Sequence, residues 1–304
     1  MAWGLIDTDN AAKREDLLNI IGDVSPDSTP LITMFKTSKA KNTLHQWLED
    51  NRSRPTSVSG VVEGADPSYG DLTQPSRVVN ITQIITQPIR ISRTVIDTDT
   101  AGMSDPWVYQ KAKALKELKN KMEFAILNST KASGSSGVAR TMDGIDAFIT
   151  THTTARNSGT SFSEAELNEM ANECYNDVGD EDVFDLVLCP INIKTSIAGF
   201  DANQTRWEPA SNKRLIRDVL VYESSAGTHK VFAHRDVRNS AGTVTVYGLK
   251  EDLHRVSYFQ EPKFQEFSPT GDARKGQWLT EMTLEELEER ADIKRTGYEV
   301  ASVV

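Results

Sequence analysis

VNITQIITQPIRISRTV, Val79 to Val95, followed by SDPWVYQKAKALKELKNKMEFAILN, Ser104 to Asn128, carries the two periodicities on which the fold turns. In the first segment Val79, Ile81, Ile85, Ile89, Ile91 and Val95 fall at odd positions, with Asn80, Thr82, Thr86, Arg90, Ser92 and Thr94 between them. That alternation predicts a long strand with one buried face, bent or at an edge near Pro88. In the second the period becomes helical. Ser104 or Asp105 can cap the first amides, Pro106 is tolerated in the first turn, and Trp107, Ala114, Leu115, Leu118, Met122, Ala125 and Ile126 form an apolar stripe. A helix of that length spans roughly 35 Å. Glu117 with Lys121, and Lys119 with Glu123, stand at i,i+4 and read as surface pairs that support the helix.

Upstream, Thr56 to Val62 reads as an extended polar strand, and EGADPSYGDLTQPSR after it is dense in glycine and proline, the composition of a protruding loop. With Val79 to Val95 these segments predict a long two-stranded hairpin, marginal alone and in need of another surface. Residues 1–55 hold short apolar stretches, Leu17 to Ile21 and Pro30 to Phe35, and read as an arm. Downstream, TKASGSSGVARTMDGI reads as a mobile connection and lacks the GxxxxGK[ST] order of a phosphate loop. Residues 163–178 read as a second helix with Ser163 and Glu166 as a capping box and Leu167, Met170, Ala171, Cys174 and Val178 on one face. Phe184 to Cys189 reads as a short buried strand, Pro190 opens a helix, and further strands are expected over 218–222, 230–232 and 243–249. This middle block reads as an α/β domain inserted between two parts of another.

Composition limits function. The chain has 304 residues, 38% hydrophobic and 26% charged, which suits about two domains and excludes an embedded or mainly disordered chain. A net charge of -10 gives no global case for wrapping nucleic acid. Nine acidic residues and no Lys or Arg lie between Glu164 and Asp185, a solvated acidic face or a docking site for a basic neighbour. The start carries no secretory signal and no window reaches the length of a membrane span, so a soluble chain is expected. Cys174 and Cys189, outside any CxxC, are expected to be reduced and structural. The five histidines are dispersed, with no HExxH, and the calcium-loop-like DTDTAG at Asp97 to Gly102 lacks its terminal glutamate because Val108 stands there. No catalytic residue, metal or cofactor is expected.

The order of arm, turn-rich loop, long strand, long helix and inserted α/β block, together with EGADP, ITQIITQPIRISRT, KALKELKNKMEFAILN and GVARTMDGIDAFI, resembles tailed-bacteriophage major capsid proteins of the HK97-like class. The resemblance implies an α+β fold: an N-terminal arm over 1–55, an E-loop over 56–95, a peripheral domain over 96–162 with a spine helix at 104–128, an axial domain over 163–248, and a peripheral return over 249–304. It implies a protein that self-assembles as pentamers and hexamers into an icosahedral or prolate shell around double-stranded DNA, clamped by E-loop and N-terminal-arm contacts. The partners it implies are many copies of the chain, a separate scaffolding protein, a portal and a decoration protein, with non-specific proximity to packaged DNA and no membrane. The setting it implies is the virion capsid, assembled in the bacterial cytoplasm. Some relatives crosslink through a loop lysine, but Thr56 to Arg77 contains none, so non-covalent clamping is expected. Candidate contacts between subunits are Trp47, Glu63, Asp66, Tyr69, Asp71, Arg90 and Arg93, whereas Trp107 is expected to fasten its helix to its own core. The competing readings are a hydrolytic enzyme with an open α/β core, and another virion component such as a decoration or baseplate protein.

Overall fold

The computed structural model describes residues 29–50, 55, 57–67, 69–70, 72, 74–98, 105–179, 183–200, 221–224, 226–239, 244–269 and 271–299. Leu17 to Ile21, Asp71, Ser104 and most of DTDTAG lie outside them. The elements run α1 (Pro30–Met34), β1 (Lys36–Lys39), β2 (Leu44–Glu49), β3 (Ser76–Ile81), β4 (Gln83–Ser92), α2 (Arg93–Asp97), α3 (Pro106–Asn128), α4 (Ile145–Phe148), β5 (Thr153–Thr160), α5 (Glu164–Val178), β6 (Leu186–Cys189), α6 (Ile191–Ile197), β7 (Val221–Ser224), β8 (Gly227–Ala233), β9 (Val244–Leu249), β10 (His254–Phe267), β11 (Ala273–Glu286) and β12 (Ile293–Tyr298). The fold is thus α+β.

The described chain forms two compact units, one of Thr86–Asn120 with Lys263–Leu279, the other of Thr29–Ile85, Lys121–Pro262 and Thr280 onward. In the first, Trp107 is buried, as its place on the apolar stripe predicts. Its ring meets Phe264 edge-on at 6.1 Å, and the Arg274 guanidinium lies 4.5 Å over its centroid. Trp278 Nε1 donates to the Lys111 carbonyl at 2.9 Å, so ring contacts and a main-chain hydrogen bond together hold the helix. The 23-residue α3 is capped by Asp105, whose Oδ1 accepts from Trp107 N at 2.8 Å and Val108 N at 3.3 Å.

The second unit contains a six-stranded sheet in the order β5-β12-β9-β6-β8-β7. β6, buried along its whole length, pairs parallel to β8 and antiparallel to β9, which is why its sequence LVLC is continuously apolar instead of alternating. α5 packs Leu167, Met170, Ala171 and Cys174 into a core shared with Phe184, Val187, Ile193, Val231, Val244 and Ile293. Each such side chain contributes about 1.5–3 kcal/mol by leaving water. Ser163 caps α5 by accepting from Glu166 N at 3.4 Å, but the Glu166 carboxylate bonds Arg156 and Tyr298 instead of closing a capping box. The sheet also takes in β5 and β12, from outside the 163–248 block.

Several local expectations differ. Residues 57–62 are not a strand; β3 instead pairs antiparallel with β2, Trp47 opposite Val78 and His45 opposite Asn80. The expected single strand breaks at Thr82 into β3 and β4 and ends in α2. β4 joins a separate sheet ordered β1-β10-β11-β4. Asn80 and Thr82, assigned to the polar face, are buried because each has partners distant in sequence. Asn80 donates to the carbonyls of Leu284 and Asp143 and accepts from Asp143 N, while Thr82 donates to Glu281 at 2.6 Å. The glycine-rich connection is a small ordered hairpin, with bridges Ala132 to Thr141 and Ser135 to Val138 and left-handed Gly134 and Gly137 making its turns. The Thr29–Glu49 part of the expected arm is folded, with β1 parallel to β10.

Candidate assembly surface

The β2–β3 hairpin is firmly held at its base. On β2 the odd residues turn inward: Trp47 is buried, its ring 6.0 Å from Phe148 and 5.7 Å from His45. His45 Nε2 lies 3.3 Å from Glu285 Oε2, which also accepts from Ser38 Oγ at 2.9 Å and Ser257 Oγ at 3.0 Å. Burial works to raise the Glu285 pKa, but the hydrogen bonds from Ser38, Ser257 and His45 outweigh it and hold the carboxyl below its ordinary range. Lys131 Nζ donates to the Val79 carbonyl at 2.8 Å on the opposite strand. Leu44 and Leu48 point the other way and are exposed.

Beyond the base, the described loop residues are largely exposed. Val58, Tyr69 and Leu72 are 88%, 92% and 95% exposed, and Val61 and Val62 are exposed with them. A turn at Val62–Ala65 closes through Ala65 N to Val62 O at 3.1 Å, with Gly64 at φ 79° supplying the left-handed position. Glu63 lies within that turn and Asp66 follows it, and both are exposed. The described surface is therefore apolar and acidic, a pattern suited to burial against another polypeptide.

Of the proposed contacts, the structure brings Glu63, Asp66 and Tyr69 onto this one loop. Trp47 is packed inside its own chain, Asp71 lies outside the described residues, and Arg90 and Arg93 are exposed in the Thr86–Asn120 unit, on β4 and at the start of α2. The loop valines and Leu72 were missed; apolar residues without alternation inside a glycine- and proline-rich stretch were the available signal. Part of the acidic block is matched by cations of the chain itself. Arg156 bonds Glu166 at 2.9 Å and Glu169 at 2.7 Å, and the buried Arg295 bonds Glu173. Among the described residues no helix is long and apolar enough to cross a membrane.

This architecture recurs in solved capsids. The cyanophage A-1(L) capsid asymmetric unit superposes with a TM-score of 0.71 at 11% identity, covering 98% of this chain and 100% of that one. The capsid of a native GTA particle, computed with C5 symmetry, gives 0.65 at 9% identity, covering 96% and 97%. The fold is that of the HK97-like capsid class. In sequence, 146 residues are 28% identical to the major capsid protein of Escherichia phage Phieco32, a match spanning 48% of this chain and 39% of that protein. The SU10 major capsid protein family model matches residues 5–298, and the chain belongs to that family. It is therefore a structural protein of the virion capsid and not an enzyme, which corrects both the hydrolase and the decoration or baseplate readings.

Proposed function

We propose that the chain assembles as pentamers and hexamers into a closed icosahedral or prolate shell around double-stranded phage DNA, clamped by the β2–β3 hairpin. The observation that carries this reading is the run of nearly fully exposed apolar side chains, Val58, Val61, Val62, Tyr69 and Leu72, on a hairpin whose base is fixed by buried hydrogen bonds. Covering each by a neighbouring subunit would contribute up to about 1.5–3 kcal/mol before the ordering cost of the loop. In this reading the 50–75 loop is the E-loop, α3 the spine helix, and the six-stranded sheet with α5 and α6 the centre of the axial domain. Glu63 and Asp66 seek basic residues on the neighbour, and Arg90 and Arg93 are candidate partners in other copies. Clamping is non-covalent, since the loop has no lysine. Scaffolding, portal and decoration proteins complete the particle, and the charge of -10 limits contact with DNA to non-specific proximity.

Cryo-electron microscopy of the assembled chain tests this, alongside a V61D/V62D variant. Wild-type shells in which residues 50–75 cross a neighbour, with loss of shells but an unchanged melting temperature in the variant, are expected. Normal shells from the variant, or a wild-type loop folded on its own subunit, would overturn the clamp.

A further inference from the structure

At the junction of three strands, His254 opens β10, Glu286 ends β11 and Asp292 immediately precedes β12, and all three side chains are buried. Their ligating atoms lie within 4.8 Å of one another, with His254 Nε2 and Asp292 Oδ2 3.2 Å apart. Both Glu286 oxygens are buried and no well-aligned hydrogen bond reaches them, while Asp292 Oδ2 and His254 Nε2 face each other as a buried pair. Two carboxylates and an imidazole gathered in one buried cluster carry a desolvation penalty that the protein must offset.

The surrounding bonds orient these atoms toward a common centre. His254 Nδ1 donates to the Lys250 carbonyl at 2.9 Å, which turns Nε2 toward the carboxylates, and Phe35 stacks on the ring at 4.8 Å. Asp292 Oδ1 accepts from Lys250 N at 2.7 Å, which turns Oδ2 inward. Lys250 thus fixes two of the three ligands through its own main chain. In a tetrahedral site with bonds of about 2.0 Å, neighbouring ligand atoms stand about 3.3 Å apart, close to the His254 to Asp292 separation.

We propose that His254, Glu286 and Asp292 form a buried structural site for a divalent first-row transition-metal cation, zinc or manganese. One imidazole nitrogen with carboxylate oxygens is the donor set such ions take. Glu286 and Asp292 with one carboxylate oxygen each and His254 with one nitrogen supply three protein ligands. A doubly charged ion balances the two carboxylates, and the site would pin the ends of β10 and β11 to the start of β12 without taking part in any reaction. Burial and the charge of Asp292 push the Glu286 carboxyl well above its ordinary range, so a proton is the competing occupant.

The test uses the full unassembled chain, stripped with a chelator, then titrated with zinc or manganese while metal content and melting temperature are followed. Binding of about one ion per chain and a melting temperature that rises with zinc are expected. E286Q mimics the protonated carboxyl in shape, so it distinguishes the occupants. A cation site loses about 100-fold or more in zinc affinity in this variant. A proton-filled site leaves E286Q as stable as wild type. Metal-free wild type that neither binds zinc or manganese nor changes its melting temperature, or an E286Q variant with undiminished zinc response, would overturn the proposal. The wild-type titration decides it even if E286Q fails to fold.

Discussion

Glu123, on the inward side of α3, accepts a 2.7 Å hydrogen bond at Oε1 from the main-chain nitrogen of Leu31, so the long helix closes the N-terminus of α1 with a buried carboxylate. Oε2 accepts from Ile32 N at 3.1 Å. His234 Nε2, 2.9 Å from Oε1, donates as well, because Asp236 N occupies Nδ1 at 3.1 Å and leaves the ring proton on Nε2. The carboxylate does for α1 what an N-cap side chain does elsewhere. Its spacing from Lys119 predicted a surface pair, and burial places it here instead.

Replacing Glu123 with alanine therefore orphans two main-chain amides and an imidazole in a dry site. The expected loss is about 3–5 kcal/mol in urea unfolding of the unassembled chain. E123Q keeps one acceptor oxygen and should lose less, by about half.

Gly297 interrupts β12 at φ 91°, where the register with β5 and β9 shifts, and a Cβ there would stand 2.1 Å from the Arg156 carbonyl oxygen. Main chain cannot move aside as a side-chain end can. G297A is expected to cost about 3 kcal/mol or more by thermal unfolding. G60A, which meets nothing within 4 Å, is the matched control and should leave the melting temperature unchanged.

What the sequence could disclose depended on whether an element's environment is local. α3 and α5 were readable because cap, first turn and apolar stripe lie within one segment, and the structure places Asp105, Ser163, Leu118 and Met170 accordingly. β6 was readable from continuous apolarity. Asn80 was not, because its burial depends on Leu284 and Asp143, far along the chain. The β2 strand was hidden for the same reason, since its inward His45 and Trp47 meet Glu285 and Phe148. Of the candidate surface, the turn residues Glu63 and Asp66 were visible from glycine and proline placement. The dispersed histidines concealed the His254, Glu286 and Asp292 cluster, which three separate strand ends bring together.

The two thiols should be inert in the native chain. Burial pushes Cys189 up to about 12 and Cys174 higher still, so the reactive thiolate is scarce at neutral pH. Both are free and buried. Alkylation by iodoacetamide at mildly alkaline pH is expected to be slower than for an unfolded chain by roughly a thousandfold or more, with both cysteines reacting together on denaturation. Rapid labelling of Cys189 alone under native conditions would show that the β6 edge of the core opens.

His229 sets an acid limit on stability. Its Nδ1 donates to the Phe184 carbonyl at 2.8 Å, Nε2 lies 2.7 Å from Ser224 Oγ, and the Phe184 ring packs at 4.5 Å. Burial lowers its pKa, and the hydrogen bond to Phe184 and the charge of Asp185 only partly oppose this. The unfolded chain titrates near the ordinary value of about 6.5, so below that pH it takes up a proton that the folded chain refuses. The contribution of neutral His229 is complete above about 6.5 and is lost as pH falls toward the depressed folded value. Thermal unfolding of the unassembled chain at about pH 7.5 and about pH 5 should show a steeper loss for wild type than for H229Q, which cannot titrate. Equal slopes in the two proteins would mean that His229 takes up its proton alike in the folded and unfolded chains.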